Sequence, residues 1–303
     1  MMLLKLKKES VCGAWRPAAL LCTLLLSVSC GDKQVVKKSG MPEFARKLSG
    51  NTCLKVVNGI ETAQVPGVVM LTSAGGMLCT GTFLGHNVVL TAAHCIDSSA
   101  NGGVRIHNGP AAIAVTHGGT PGENAINGRP LRDIALLHFP DNTTAVWRKI
   151  ASVAPKAGDQ LMVAGYGQTD FVNDNDPDGK VRYGFNKVDA VSIENATLNY
   201  ESPVQYSGVA AGEEAMSGRG DSGGPIIVGD GVVGLTSSGD SNETLQYEQD
   251  FLLFSSPGLE VIEAAEAKGA IINGVNHIRK TLGMTPKNGA PDTDTSQILQ
   301  PNC

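Results

Sequence analysis

Three segments of this chain carry residue types able to do nucleophilic and acid–base chemistry. Gly220-Asp221-Ser222-Gly223-Gly224-Pro225 sets one hydroxyl among residues that favour turns and special backbone dihedrals. A serine hydroxyl is a poor nucleophile at neutral pH unless a base takes its proton during attack. Leu90-Thr91-Ala92-Ala93-His94-Cys95 offers the side chain suited to that task, because imidazole titrates near neutrality. Asp133-Ile134-Ala135-Leu136-Leu137 opens an apolar run with a carboxylate, a group that can hold an imidazole in one tautomer. Each segment alone has a plainer reading, with His94 a core or rim histidine and Asp133 the start of a buried strand. The small residues around Ser222 make that segment the hardest to dismiss.

Groups this far apart in sequence need a rigid frame to bring them together. Short apolar runs broken by Gly, Asn, Asp and Pro predict strands at Val68–Thr72, Thr82–Leu84, Val88–Thr91, Val104–His107, Ala111–Thr116, Ile134–Phe139, Leu161–Gly165, Ala190–Ile193, Pro225–Val228, Val232–Thr236 and Phe251–Phe254. Their spacing argues for an all-β barrel or sandwich. Helices are expected late: Ser255-Ser256-Pro257 with Glu260 reads as a cap leading into Val261–Lys268, and a second helix fits Ile271–Leu282. Gly is abundant at 37 residues and aromatics are scarce at 5%, as many short strands with tight turns would produce. With 42% hydrophobic and 17% charged residues, the chain is neither a polytopic membrane protein nor wholly disordered. A net charge of −5 argues against nucleic acid as a partner, since no positive excess meets a phosphate backbone.

The amino terminus reads as an export signal over 1–29. Lys5, Lys7, Lys8 and Arg16 precede an apolar run from Ala18 to Val28, too short to span about 30 Å of hydrocarbon. Leu26-Ser27-Val28-Ser29-Cys30 resembles a bacterial lipobox, with Ser27 where Leu is usual. Acylation of Cys30 would make a lipid anchor the chain's only link to a membrane, and a plain secretory signal is the alternative. Residues 30–55 are polar and Lys-rich, a tether or propeptide, and 285–303 form a polar tail. Without the signal cysteines and Cys30, Cys53, Cys79, Cys95 and Cys303 remain, which allows three disulfide pairings. No C-x-x-C or Cys/His cluster has metal spacing, so neither a metal nor a cofactor is expected.

Taken together, the blocks at His94, Asp133 and Ser222, in that order, resemble the trypsin/chymotrypsin-like serine proteases (peptidase family S1), over roughly Val56 to Lys268. The resemblance implies two six-stranded antiparallel β-barrels packed side by side, about 56–150 and 151–256, with C-terminal helices over 257–284. It implies a serine endopeptidase acting on proteins or peptides through an acyl-enzyme. Ser222 would be the nucleophile, His94 the base and Asp133 its orienting carboxylate, with the N–H groups of Gly220 and Ser222 as oxyanion hole. A disulfide Cys79–Cys95 beside the histidine is implied too. Given that pair, Cys53 is left with Cys303, a free Cys53 or a Cys30 partner being the alternatives. Gly165-Tyr166-Gly167 matches a family turn with a structural role.

Lys55-Val56-Val57-Asn58-Gly59 resembles the family's zymogen cleavage site. Cutting after Lys55 would free the α-amine of Val56 to pair with Asp221. The alternative is that Asp221 only accepts local backbone hydrogen bonds. For substrate binding, the resemblance points to Met216 at the floor of the pocket for the residue before the scissile bond (P1), Ser217 beside it, and Ser237, Ser238 and Gly239 along its wall. Met216 suggests an apolar P1. Asp250, reaching in from the neighbouring strand, would suggest a basic one. An apolar preference would require a separate activating protease. The expected location is a bacterial cell envelope or the secreted space. Two other readings remain on the same scaffold, a protease-like binding lipoprotein and an esterase.

Overall fold

The computed structural model describes residues 56–291, apart from 74–75, 77, 97–101, 120–124, 127–128, 131, 169–177, 204–206, 242–244 and 290. The signal, the tether with Cys30, Cys53 and Lys55, and Cys303 lie outside the described residues. The first sheet holds β2 (Val68–Ser73), β3 (Leu78–Phe83), β4 (Val88–Thr91), β5 (Val104–Ile106), β6 (Ala114–His117) and β9 (Ala135–His138), in the antiparallel order β5-β2-β3-β4-β9-β6. Its edge strands are drawn together where Arg105 bridges Ala111 and the Ala112 N–H donates to the Val104 carbonyl at 2.9 Å. A small hairpin, β7 (Ala125–Ile126) with β8 (Arg129–Pro130), leads toward Asp133.

The second sheet has eight strands where six were expected. β1 (Ile60–Glu61), β10 (Gln160–Gly165), β11 (Arg182–Lys187), β12 (Ala190–Ser192), β13 (Thr197–Pro203), β14 (Pro225–Val228), β15 (Gly231–Ser241) and β16 (Leu245–Leu252) run in the order β1-β11-β10-β14-β15-β16-β13-β12. The extra strands are short, β1 capping one edge and β12 folding back on β13. Asn186 draws the curled sheet together: its Nδ2 on β11 donates to the Glu201 carbonyl of β13 at 3.0 Å and to Ser202 Oγ at 3.1 Å. The fold is thus all-β with two antiparallel sheets, in keeping with a double barrel.

β11 and β13 were missed in the sequence for a physical reason. Arg182 is fully buried inside β11, with its guanidinium 2.6 Å from Asp178, so a charge stands where an apolar residue was sought. In β13 the inward positions are Leu198, Tyr200 and Ser202, an alternation weakened by the serine.

Helix α1 (Ser256–Glu266) starts earlier than expected, with Ser255 as its cap: Ser255 Oγ accepts from the Gly258 N–H at 3.1 Å, and Pro257 sits in the first turn. It lays Leu259, Val261, Ile262 and Ala265 against β6 and β9 of the first sheet. Lys268 then donates to the Val115 carbonyl at 2.9 Å, so the segment after α1 is tied to the first sheet. Helix α2 (Val275–Thr281) is shorter than the segment predicted for it. It begins after Gly274, whose φ of 95° and closeness to the Ile150 carbonyl (2.8 Å from a would-be Cβ) exclude a side chain.

Candidate active site

His94 stands on a single 3-10 turn, Ala93–Cys95, just after β4. The apolar β4 is buried throughout and carries the chain to the rim, where the turn leaves the imidazole partly exposed. A disulfide joins Cys95 to Cys79 of β3, with α-carbons 6.2 Å apart, and ties the turn to the barrel wall. Cys79, His94 and Cys95 bring three ligand-type atoms within 4.8 Å, but the sulfurs are bonded to each other and offer no thiolate to a metal.

Asp133 precedes β9 and is 2% exposed. Its Oδ1 accepts the His94 backbone N–H at 2.9 Å, and its Oδ2 faces His94 Nδ1 at 2.8 Å. The Ser237 hydroxyl donates to the same Oδ2 at 2.6 Å. Burial pushes the Asp133 carboxyl up, but the hydrogen bond and charge of His94, the Ser237 hydroxyl and the His94 N–H outweigh it and hold it below the ordinary carboxylate range. The carboxylate therefore stays ionised at neutral pH and fixes the ring with Nδ1 as donor, leaving Nε2 as the acceptor.

The Ser222 loop comes from the second barrel and is gripped by the first. Thr80 of β3 donates its N–H to the Ser222 carbonyl at 2.9 Å and its hydroxyl to the Gly220 carbonyl at 2.8 Å. Cys95 Sγ lies 3.7 Å from the Ser222 carbonyl oxygen, so the serine and histidine segments adjoin. Gly223, at φ 81°, has no room for a Cβ, which would fall 2.1 Å from Thr91 Oγ1. Within the loop, the N–H groups of Gly218, Asp221, Gly223 and Gly224 are engaged, on Asp221 Oδ2, the Gly218 carbonyl, the Thr236 carbonyl and the Asp221 carbonyl. The N–H groups of Gly220 and Ser222 meet no acceptor among the described residues.

Asp221 is 1% exposed. It accepts the Gly167 N–H at 2.7 Å and the Gly218 N–H at 2.8 Å. Burial drives its carboxyl up to about 6 against the lowering effect of those bonds and of Arg182. A Cβ on Gly165 would lie 2.1 Å from Asp221 Oδ1, so Gly165 and Gly167 form a cradle for this carboxylate. Val56 is buried at 2% exposure, and Val57 bridges Met216, whose N–H donates to the Val57 carbonyl at 3.2 Å.

The remaining expected site residues divide. Met216 is 1% exposed. Ser237 is turned to Asp133 by its hydroxyl, and its N–H is held by Asp250 Oδ1 at 2.9 Å. Asp250 is therefore engaged by the backbone of the residue whose hydroxyl meets Asp133. Ser238 Oγ donates to the Gln249 carbonyl at 2.8 Å. Ser217 donates its hydroxyl to Glu248, a buried residue that sequence reasoning passed over. Thr80 was missed as well, and nothing in its local sequence sets it apart from any strand threonine. A cleft runs past Asp133, Ser237, Ser238 and Gly239, with Glu248 and Asp250 also in its lining.

A family model described as Trypsin matches residues 56–252. Trypsin epsilon of Drosophila erecta is 28% identical over 205 residues, spanning 61% of this chain and 77% of that protein. Trypsin delta of Drosophila melanogaster is 25% identical over 236 residues, 71% of this chain and 87% of that one. Among solved structures, a scabies mite inactivated protease paralogue, S-D1, superposes with a TM-score of 0.52 at 17% identity, covering 71% of this chain and 98% of the other. That likeness speaks to the fold.

Proposed function

Because the chain belongs to the trypsin family and is therefore a serine-type endopeptidase acting on proteins or peptides, we propose that it works through Ser222, His94 and Asp133 and is made as a precursor cut after Lys55. Ser222 Oγ attacks the carbonyl carbon of the scissile bond while His94 Nε2 takes the hydroxyl proton. The N–H groups of Gly220 and Ser222 receive the developing oxyanion. His94 then passes the proton to the leaving amine, giving an acyl-enzyme that water hydrolyses by the same steps in reverse order. Asp133 holds the ring and stabilises the imidazolium. The observation that carries this reading is the Asp133 carboxylate with both His94 donors on it, at 2.9 and 2.8 Å, beside the serine loop.

Activation is supported by the conformation of Val56. Its φ of 56° is costly for a β-branched residue. That torsion is defined through the bond to Lys55 and ceases to exist once the bond is cut. The buried segment thus sits in an arrangement better suited to a free terminus. The new ammonium would compensate the buried Asp221, whose ionised form is otherwise disfavoured.

The protease domain is taken as 56–284, preceded by the signal and tether. The signal and the Cys79–Cys95 disulfide favour export to an oxidising compartment. Acylation at Cys30 would place the protein on a bacterial envelope membrane, and a Cys53–Cys303 bond would keep the tether attached after the cut. A fluorophosphonate probe tests the catalytic reading: it labels wild type but not Ser222→Ala, and only after cleavage at Lys55. Labelling of neither form before or after cleavage refutes it. Non-reducing gels test the tether, because a small fragment released without reductant rules out the Cys53–Cys303 bond. Mass spectrometry of the mature amino terminus tests Cys30, and an unmodified residue there removes the anchor.

A further inference from the structure

Beside the triad carboxylate, β15 carries one residue more than its partner strand. Leu235 faces Phe251 of β16 and Ser238 faces Gln249, so Thr236 and Ser237 together stand against Asp250 alone. A bulge of this kind takes backbone groups out of the ladder, and a buried N–H with no acceptor is costly. Thr236 is provided for by the serine loop: its N–H donates to the Gly224 carbonyl at 2.8 Å, and its carbonyl accepts the Gly223 N–H at 2.7 Å. Ser237 is provided for by a side chain. Its N–H donates to Asp250 Oδ1 at 2.9 Å, while its own hydroxyl donates to Asp133 Oδ2 at 2.6 Å. Asp250 is 1% exposed. A strand position this deeply buried would ordinarily take an apolar residue, so what the aspartate adds there is an acceptor.

We propose that Asp250 is a positioning residue for the reaction: by holding the Ser237 N–H it fixes the bulge in the arrangement that keeps the Ser237 hydroxyl on Asp133 and the His94 ring aligned. The inference rests on the reading of Ser222, His94 and Asp133 as the triad. Asp250 acts at one remove, and Ser237 is the link. In a serine the backbone nitrogen and Oγ are separated by a single side-chain torsion with three staggered settings. Fixing the direction of the N–H therefore limits the places Oγ can reach, and one of them is the 2.6 Å bond to Asp133. Without the Asp250 oxygen the bulged backbone can turn to find another acceptor, and it carries the hydroxyl with it. Asp133 then loses the contact that braces it on the side away from the His94 donors. A displacement of about 1 Å in a catalytic group costs on the order of 100-fold in rate. The carboxyl group considered above for a basic P1 side chain is thus turned to the protein's own backbone.

The test uses the full chain with an enteropeptidase sequence at 51–54, opened after Lys55 and titrated with the fluorophosphonate so that rates are per active site. The substrate is a peptide that the unaltered enzyme cleaves, drawn from a mixed library. Asp250→Ala should lower kcat by about 10- to 100-fold while KM stays within about twofold, and the rate of fluorophosphonate labelling should fall with kcat. Asp250→Asn, which keeps an oxygen acceptor at the same reach, should recover most of the loss. Asp250→Leu keeps the shape of the side chain and suits a buried site, and it takes the place of the Ala variant should that one fail to fold. Because Asp250 works through the Ser237 hydroxyl, the loss it causes should largely vanish in a Ser237→Ala background. An unchanged kcat in the Ala or Leu variant overturns the inference, as does a loss confined to KM, an Asn variant as impaired as Leu, or losses at 237 and 250 that simply multiply. All of these leave the triad reading standing, since the unaltered enzyme is labelled and active. Absence of labelling in the unaltered enzyme after verified cleavage overturns the triad reading and this inference with it.

Discussion

Cleavage after Lys55 should change the protein's stability in a pH-dependent way that is traceable to Asp221. In the uncut chain burial raises this carboxyl from 3.8 to about 6. A raised acid binds more protons folded than unfolded between those values, so the contribution of Asp221 to stability is greatest below 3.8 and falls as pH rises through about 6. At pH 7.5 the penalty is on the order of 3 kcal/mol, at about 1.36 kcal/mol per pKa unit. The Val56 ammonium would remove it by pairing with the ionised form. The cut protein should therefore be the more stable one at pH 7.5, and its advantage should shrink by about 2 kcal/mol on going to pH 4.5, where the uncut Asp221 is already protonated. For a domain of this size that is a narrowing of the Tm gap by roughly 4–8 °C. The assay is thermal unfolding of the full chain carrying Asn51→Asp, Thr52→Asp, Cys53→Asp and Leu54→Asp, which enteropeptidase opens after Lys55, in the Ser222→Ala background, before and after the cut, at pH 4.5, 6 and 7.5. A gap independent of pH, or one widest at pH 4.5, would refute the role given to Asp221.

Other outcomes follow from the same geometry. Asp133→Asn should lower kcat by about 10⁴ with little change in KM, a magnitude known from enzymes of this same family and not worked out from this structure. Ser237→Ala removes one of the donors that hold Asp133 down, so the Asp133 carboxyl should titrate at higher pH, read by carboxyl-carbon NMR, and an unmoved titration would deny Ser237 that role. Replacing Cys79 and Cys95 together by Ala opens a cross-link across a separation of 16 residues and should cost about 3 kcal/mol, read in denaturant melts. Gly223→Ala forces a Cβ to 2.1 Å from Thr91 Oγ1 at a φ of 81°, so probe labelling should be lost, and retention of full labelling would show that the loop tolerates a side chain there.

Local chemistry was legible wherever a residue's role is written into its neighbours. The glycines around Ser222 mark a loop that needs unusual dihedrals, and Gly220 and Gly223 do adopt φ of 98° and 81°. The short apolar runs located β2, β4, β5, β6, β9, β10 and β14, because a strand buried along much of its length reads as a continuous apolar run. β11 and β13 escaped because their inward positions carry Arg182, Asn186 and Ser202, polar groups made tolerable by partners distant in the chain.

The residues themselves determined that a hydroxyl, an imidazole and a carboxylate stand in one order within an all-β chain. Which groups surround them was decided only in three dimensions. Between Leu235 and Ser238 the pairing of β15 with β16 slips by one residue, a bulge that no composition announces. In a strand with a period of two, one residue of slip exchanges the faces of everything beyond it. Within that bulge Ser237 meets Asp133 and gives its N–H to Asp250, and beyond it Glu248, not Asp250, faces Gly239 and the hydroxyl of Ser217. Register is a property of two strands together, so no reading of either strand alone could have assigned that carboxylate its place.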